Sequence, residues 1–176
     1  MKKIKLLVLP IIALVIASCS SVRVATDYDT QTDFAQYKTF AFYKTGIDKA
    51  KISDLDKKRI MRAIESELMA KGMTKSATPD VLVSLFTKSR ERINVNDNFY
   101  GGFCYPWYYG SNPVTVSQYT EGTLFIDLID ANKKELVWQG IGTGALHTSN
   151  VERKEARIKE FVKEILSKYP PGSDKK

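Results

Sequence analysis

Residues 119–146 read YTEGTLFIDLIDANKKELVWQGIGTGAL, two strand-forming runs either side of one polar turn. Leu124, Ile126 and Leu128 alternate with Thr123, Phe125 and Asp127, which predicts a strand with one buried face. Asp130-Ala131-Asn132-Lys133-Lys134 supplies turn chemistry, and a β-branched and aromatic run restarts from Leu136 to Ile141. The stretch is expected to be a β-hairpin. Asp130 should serve the turn, and Asp127 should face solvent opposite the leucine and isoleucine side chains, leaving Phe125 and Ile129 in need of cover. Gly140, Gly142 and Gly144 stand two apart on one strand face. That spacing suits a helix or Trp138 packing close to the backbone. A dinucleotide loop needs G-x-G-x-x-G opening directly into a helix, and no lysine lies in this loop, so phosphate binding is not supported.

Upstream of the hairpin, Val81 to Phe86 is nearly continuously apolar, as in a central strand covered on both sides. Before it, Ser53 with Asp56 has the form of a capping box, and Gly72 suits the left-handed residue that stops a helix. Ile60, Ile64 and Leu68, with Leu55 and Met61 beside them, form the buried stripe of that helix. Lys38 to Lys44 reads as a strand with Phe40 and Phe42 on one face, and Gly46 to Lys51 as a short linker. Strand, helix, strand in this order implies two parallel strands joined by a crossover. Val22 to Asp29 alternates weakly, either as a first strand or as a tether along an edge, and is followed by a turn at Asp29 to Asp33.

Downstream, Ser149 with Glu152 resembles a second capping box. Ile158, Phe161, Val162, Ile165, Leu166 and Tyr169 follow at helical spacing, and Pro170 and Pro171 end the helix. The elements run β-α-β-β-β-α. They predict an α+β fold, a mixed sheet of four to five strands with two helices packed on one face.

Between strand and hairpin lies FYGGFCYPWYY, residues 99–109, in which seven of eleven residues are aromatic. Its glycines and proline forbid a regular element, so an irregular loop is expected. Its rings either fold back over the sheet or present Tyr105, Trp107, Tyr108 and Tyr109 outward as a partner site. Tyrosine and tryptophan combine large contact area with a polar tip, which suits protein, glycan or the lipid interface.

The chain begins with Lys2, Lys3 and Lys5, then LLVLPIIALVIA, too short to cross a bilayer, which needs about 20 residues. Residues 1–18 read as an export signal. Ile16-Ala17-Ser18-Cys19 resembles the lipobox of bacterial lipoproteins, which implies cleavage before Cys19, acylation of its thiol and a permanent membrane tether. Ser20, rather than an aspartate, follows the cysteine, and no acidic cluster comes after it. By the lipoprotein sorting pattern, this implies the outer membrane, facing the periplasm. The domain is then residues 19–170 with a short N-terminal tether, and residues 171–176 form a disordered tail.

With 43% apolar and 27% charged residues, the chain has the composition of a globular domain. Its formal charge of +7 falls to +4 when the three signal lysines leave, and the remaining lysines are dispersed rather than clustered as in a nucleic-acid binder. An acylated Cys19 leaves Cys104 as the sole thiol, so no internal disulfide forms. His147 is the only histidine, too few nitrogen and sulfur ligands for an ordinary zinc site, and its spacing from Cys104 favours no catalytic dyad. No catalytic residue, metal ligand or cofactor is therefore assigned.

The pieces TDYDTQTDFAQYKTFAF, DLDKKRIMRAIESELMAKGM, PDVLV, the hairpin and KYPP together resemble the lipoprotein family known as domain of unknown function 4136. That resemblance covers nearly the whole chain after the signal and implies an α+β envelope lipoprotein without established activity. The expected function is a non-enzymatic binding or scaffolding domain held at the outer membrane, with an envelope protein or glycan as partner. The alternative is a hydrolase acting on cell wall or glycan.

Overall fold

The computed structural model describes residues 22–96, 115–145 and 150–172. A single mixed sheet of six strands carries the fold: β1 (Arg23–Tyr28), β2 (Thr39–Phe42), β3 (Thr74–Lys75), β4 (Val81–Asn96), β5 (Thr115–Asp130) and β6 (Leu136–Ala145). Their order is β1-β6-β5-β4-β2-β3. Three α-helices accompany them: α1 (Lys44–Asp48), α2 (Asp54–Ala70) and α3 (Val151–Leu166). This is the expected α+β architecture with one more strand than the upper bound read from the sequence. The extra strand is β3, two residues paired parallel to β2.

The hairpin forms as read. Strands β5 and β6 pair antiparallel, with Leu124 opposite Gly142 and Leu128 opposite Trp138, and an irregularity after Leu128 shifts the register by the turn. Leu124, Ile126 and Leu128 are buried. Asp130 makes the turn: its Oδ1 accepts from the amides of Asn132 and Lys133, both at 2.8 Å, and its Oδ2 from the Tyr37 hydroxyl at 2.9 Å. Lys134 takes the left-handed conformation, φ 62°, that closes the reversal. Strand β4 pairs antiparallel with β5 on one side and parallel with β2 on the other, the crossover expected from strand, helix, strand. Edge strand β1 pairs along β6, so Arg23 to Tyr28 is a strand.

Helix α2 ends in a Schellman arrangement. The Gly72 amide donates to the Met69 carbonyl at 2.9 Å, that of Met73 to Leu68 at 3.1 Å, and Gly72 has φ +86°. Ile60, Ile64 and Leu68 are buried with Ala63, while Leu55, expected beside them, is 62% exposed. Leu55 sits in the first turn, off the line of that stripe. The Ser53 hydroxyl accepts from the Asp56 amide at 3.2 Å, as a cap should, but the Asp56 carboxylate turns to Arg59 and Lys154 instead.

Helix α3 lays Phe161, Val162, Ile165 and Leu166 on the sheet, with Tyr169 just beyond its end. Its N-cap is Asn150, whose Oδ1 accepts from the Arg153 amide at 3.0 Å. The cap expected at Ser149 is thus corrected by one position, and Ser149 itself lies outside the described residues. Gly140 and Gly142 make room for Ile165 and, at Gly140, for Trp138. The Trp138 ring meets Tyr169 edge-on at 5.4 Å.

Two further readings change. The expected linker at Gly46 to Lys51 contains α1, which continues along β4 where β2 stops; the Tyr43 amide makes the last rung, 2.8 Å to the Val83 carbonyl. Strand β4 is also not covered equally on both faces. Val81, Val83 and Leu85 are fully buried under the helices, whereas Leu82 and Phe86 on the other face are half-buried. On that outer face Phe86 stacks on Phe125, centroids 4.1 Å apart and planes at 9°, with the Lys88 ammonium 5.4 Å from the Phe125 ring. This supplies part of the cover that Phe125 needs.

Candidate functional site

The helices and the sheet do not close on each other along their whole length. Where α2 and α3 begin, a cleft of about 580 Å³ opens between them and strands β4 and β5, within the usual range of small-molecule sites. Four segments far apart in sequence build it: 51–60, 87–89, 122–124 and 154–161. The floor is apolar, with Ile60, Leu124 and Phe161 buried and Ile52 and Ile158 half-buried. Gly122 allows the cleft to reach the backbone of β5.

Charge is concentrated at the walls. Asp56 from α2 meets two cations, Arg59 at 2.7 Å and Lys154 of α3 at 3.3 Å, so one carboxylate ties the first turns of the two helices together. Burial works against the ionised Asp56, but hydrogen bonds from Ser53, Arg59 and Lys154 prevail and hold its pKa below the usual carboxylate range. Arg157 is 6% exposed. Its Nε donates to the Ala145 carbonyl at 3.0 Å, its Nη1 to Glu160 at 2.7 Å, and its guanidinium lies 4.7 Å from the Phe161 ring centroid. These contacts fix a permanent positive charge beside the floor. Lys88 also lines the cleft, but its ammonium sits over Phe125 on the outer face.

Neither hairpin aspartate, Asp127 or Asp130, lines the cleft. Asp130 is consumed by the turn, where the Lys133 amide chiefly holds its pKa low. Asp127 lies on the outer face and accepts from Gln139 Nε2 at 2.8 Å, with its pKa raised by burial. Among the described residues no group of three or more His, Cys, Asp or Glu side chains could hold a metal ion. None of the described helices is long and apolar enough to cross a membrane.

Cys19, Tyr105, Trp107, Tyr108 and Tyr109 lie outside the described residues, as do Cys104 and His147. The cleft was missed because Ile60, Leu124 and Phe161 read as ordinary core. A signal did exist: Lys154 and Arg157 continue the helical spacing of Ile158 and Phe161, placing two cations in line with the buried stripe.

The described residues thus define a two-layer α+β domain with a basic-walled cleft between its layers. The sequence profile of the domain of unknown function DUF4136 matches residues 24–171, and the chain belongs to that family. No curated protein matches it. Among solved structures, it is similar to a PDZ domain protein from Parabacteroides distasonis, with 19% identity and a TM-score of 0.49 over 90% of this chain. This chain spans 39% of that protein. It is also similar to two structures of the PelC dodecamer from Paraburkholderia phytofirmans, at 13% and 11% identity with TM-scores of 0.47 and 0.44. Each match covers 83% of this chain and 95% of that one.

Proposed function

We propose that the chain is an envelope lipoprotein, tethered to the outer membrane through an acylated Cys19 and facing the periplasm, whose domain binds a ligand or partner without catalysing a reaction. The observation that carries the binding part is the cleft: an apolar floor with a fixed arginine beside it is built for occupancy. The hydrolase alternative needs two titratable groups gathered over a substrate. The described cleft lining offers one carboxylate, Asp56, already committed to two cations. The loop residues Tyr105, Trp107, Tyr108 and Tyr109 are proposed as a second contact, with an envelope protein or glycan.

Two measurements test this reading. A clickable fatty acid fed to cells should label the wild-type chain in the outer-membrane fraction and leave Cys19→Ala unlabelled; label persisting in the variant overturns the tether. For the cleft, the chain from residue 19 carrying Cys19→Ser is handled without detergent and titrated with the neutral dye Nile red. Fluorescence should rise with wild-type cleft walls and stay low in Ile158→Trp and Thr87→Phe, which fill the same space from opposite sides. A rise equal in all three chains overturns the cleft as the binding site.

A further inference from the structure

We infer that the cleft takes a single-chain lipid with one anionic head group, drawn from the membrane beside which the domain is tethered. The inference rests on the cleft being the binding site. Its first support is the division of the lining: Ile60, Leu124, Ile158 and Phe161 offer an apolar bed, and Lys154 and Arg157 stand at its side. Asp56 holds Lys154, and Glu160 and the Ala145 carbonyl hold Arg157, so both cations are fixed where an anionic head group above the apolar bed would meet them.

The second support is the charge balance. Leaving out Lys88, whose ammonium is on the other face, the lining carries Lys51, Lys154 and Arg157 against Asp56, with Arg157 also paired to Glu160 beside the lining. Asp56 is shared, because Arg59 holds it at 2.7 Å and Lys154 reaches it only at 3.3 Å. Lys154 therefore has donor capacity for a second anion. The amides at the helix starts are partly engaged by the Ser53 and Asn150 side chains, so the attraction is assigned to the side-chain cations rather than to the helix ends.

Position supplies the third support. Val22 comes within 3.3 Å of where a Cβ on Gly142 would stand, and Gly142 pairs with Leu124 of the cleft floor. Next to Val22, Arg23 bonds Glu121 at 2.6 Å, and Glu121 adjoins Gly122 of the lining. Cys19 lies three residues before Val22, at most about 11 Å of extended chain. An acyl tether there keeps the cleft close to the lipid surface. Leu55 and Val151, 62% and 63% exposed in the same first turns as Asp56 and Lys154, give this end an apolar margin. A membrane surface carrying anionic lipid attracts Lys51 and Lys154 at the same end.

The test uses the Cys19→Ser chain from residue 19 with Nile red bound, at pH 7.5 and below micelle-forming concentrations. Decanoate, 1-decanol and decyltrimethylammonium are compared as displacing probes. Decanoate should displace the dye at a concentration about tenfold lower than either other probe, the effect of one charge-assisted hydrogen bond. Lys154→Gln should remove most of that preference, read as the ratio of decanoate to decanol displacement within the same variant. Equal displacement by all three probes, or a preference for decyltrimethylammonium, overturns the anionic lipid while leaving the cleft a binding site. Decanoate preference unchanged in Lys154→Gln overturns the assigned head-group position. If the blocking variants Ile158→Trp and Thr87→Phe do not lower the dye signal, the cleft reading itself has failed, and this inference with it.

Discussion

Gly142 and Ile165 approach so closely that a Cβ on the glycine would stand 2.7 Å from the isoleucine Cδ1. Real Cβ atoms essentially never show so short a contact, so a side chain at Gly142 would have to push Ile165 aside where α3 rests on β6. Gly142→Ala should cost about 1–3 kcal/mol through overpacking. Ile165→Ala alone should cost about 2–5 kcal/mol by opening a cavity in the core. Together they should cost less than the sum, because alanine lacks both Cδ1 and Cγ1, the two atoms that crowd the added Cβ at 2.7 and 2.8 Å; a double-mutant cycle by chemical denaturation reads the coupling. Strict additivity would show that the helix does not rest on that glycine.

Phe161 tests the same docking from the helix side. Its ring is 4% exposed, lies over the sheet and carries the Arg157 guanidinium on one face. Phe161→Ala should cost roughly 3–5 kcal/mol, as large-to-small core changes do. An unchanged melting temperature would mean that α3 is peripheral.

What the sequence revealed follows from how each element is held. The hairpin and α3 repeat their pattern over many residues, so alternation at Leu124 to Leu128 and helical spacing from Ile158 to Leu166 named the buried faces correctly. Strand β3 is two residues long, and no periodicity can show in it; its place is set by the Thr74 amide donating to the Lys38 carbonyl at 2.9 Å. The five-residue α1 is too short to be a stable helix by itself and depends on its position along β4. At α3, Ser149 and Asn150 both have capping side chains, and sequence cannot choose between neighbours that can each accept the same kind of bond. The cleft was hidden for a different reason. Hydrophobic pattern tells which residues face inward, but not whether two inward faces meet.

The aromatic segment offers a prediction from sequence alone. If Trp107 and Tyr108 present their rings to a partner, replacing both by alanine should leave the melting temperature nearly unchanged and abolish the partner crosslinks formed by the wild-type chain in the native envelope. A double variant that unfolds, or that captures the same partners, assigns those rings to packing.

Two aspartates whose pKa values are shifted in opposite directions give the pH prediction. Burial raises the pKa of Asp127, so its ionised form is penalised in the fold. The folded value lies above the unfolded value of about 3.9, and the penalty is full above the folded pKa and gone below the unfolded one. Asp127→Asn should therefore raise the melting temperature at pH 7, with the gain fading as the pH falls towards 4. Asp80 behaves in the opposite sense. Its Oδ2 accepts from the Lys38 amide at 2.9 Å and from the Thr39 amide and hydroxyl at 2.8 Å, and these bonds hold its pKa low. Its stabilisation is present above the unfolded pKa and lost as the pH drops through the folded one. Asp80→Asn should lower the melting temperature at pH 7 by an amount that shrinks in acid. Melting curves of both variants and the wild type across pH 3–8 measure the two trends. Parallel curves for Asp127→Asn and wild type would show that the Asp127 carboxylate is not penalised where it lies beside Gln139 on the outer face of the sheet.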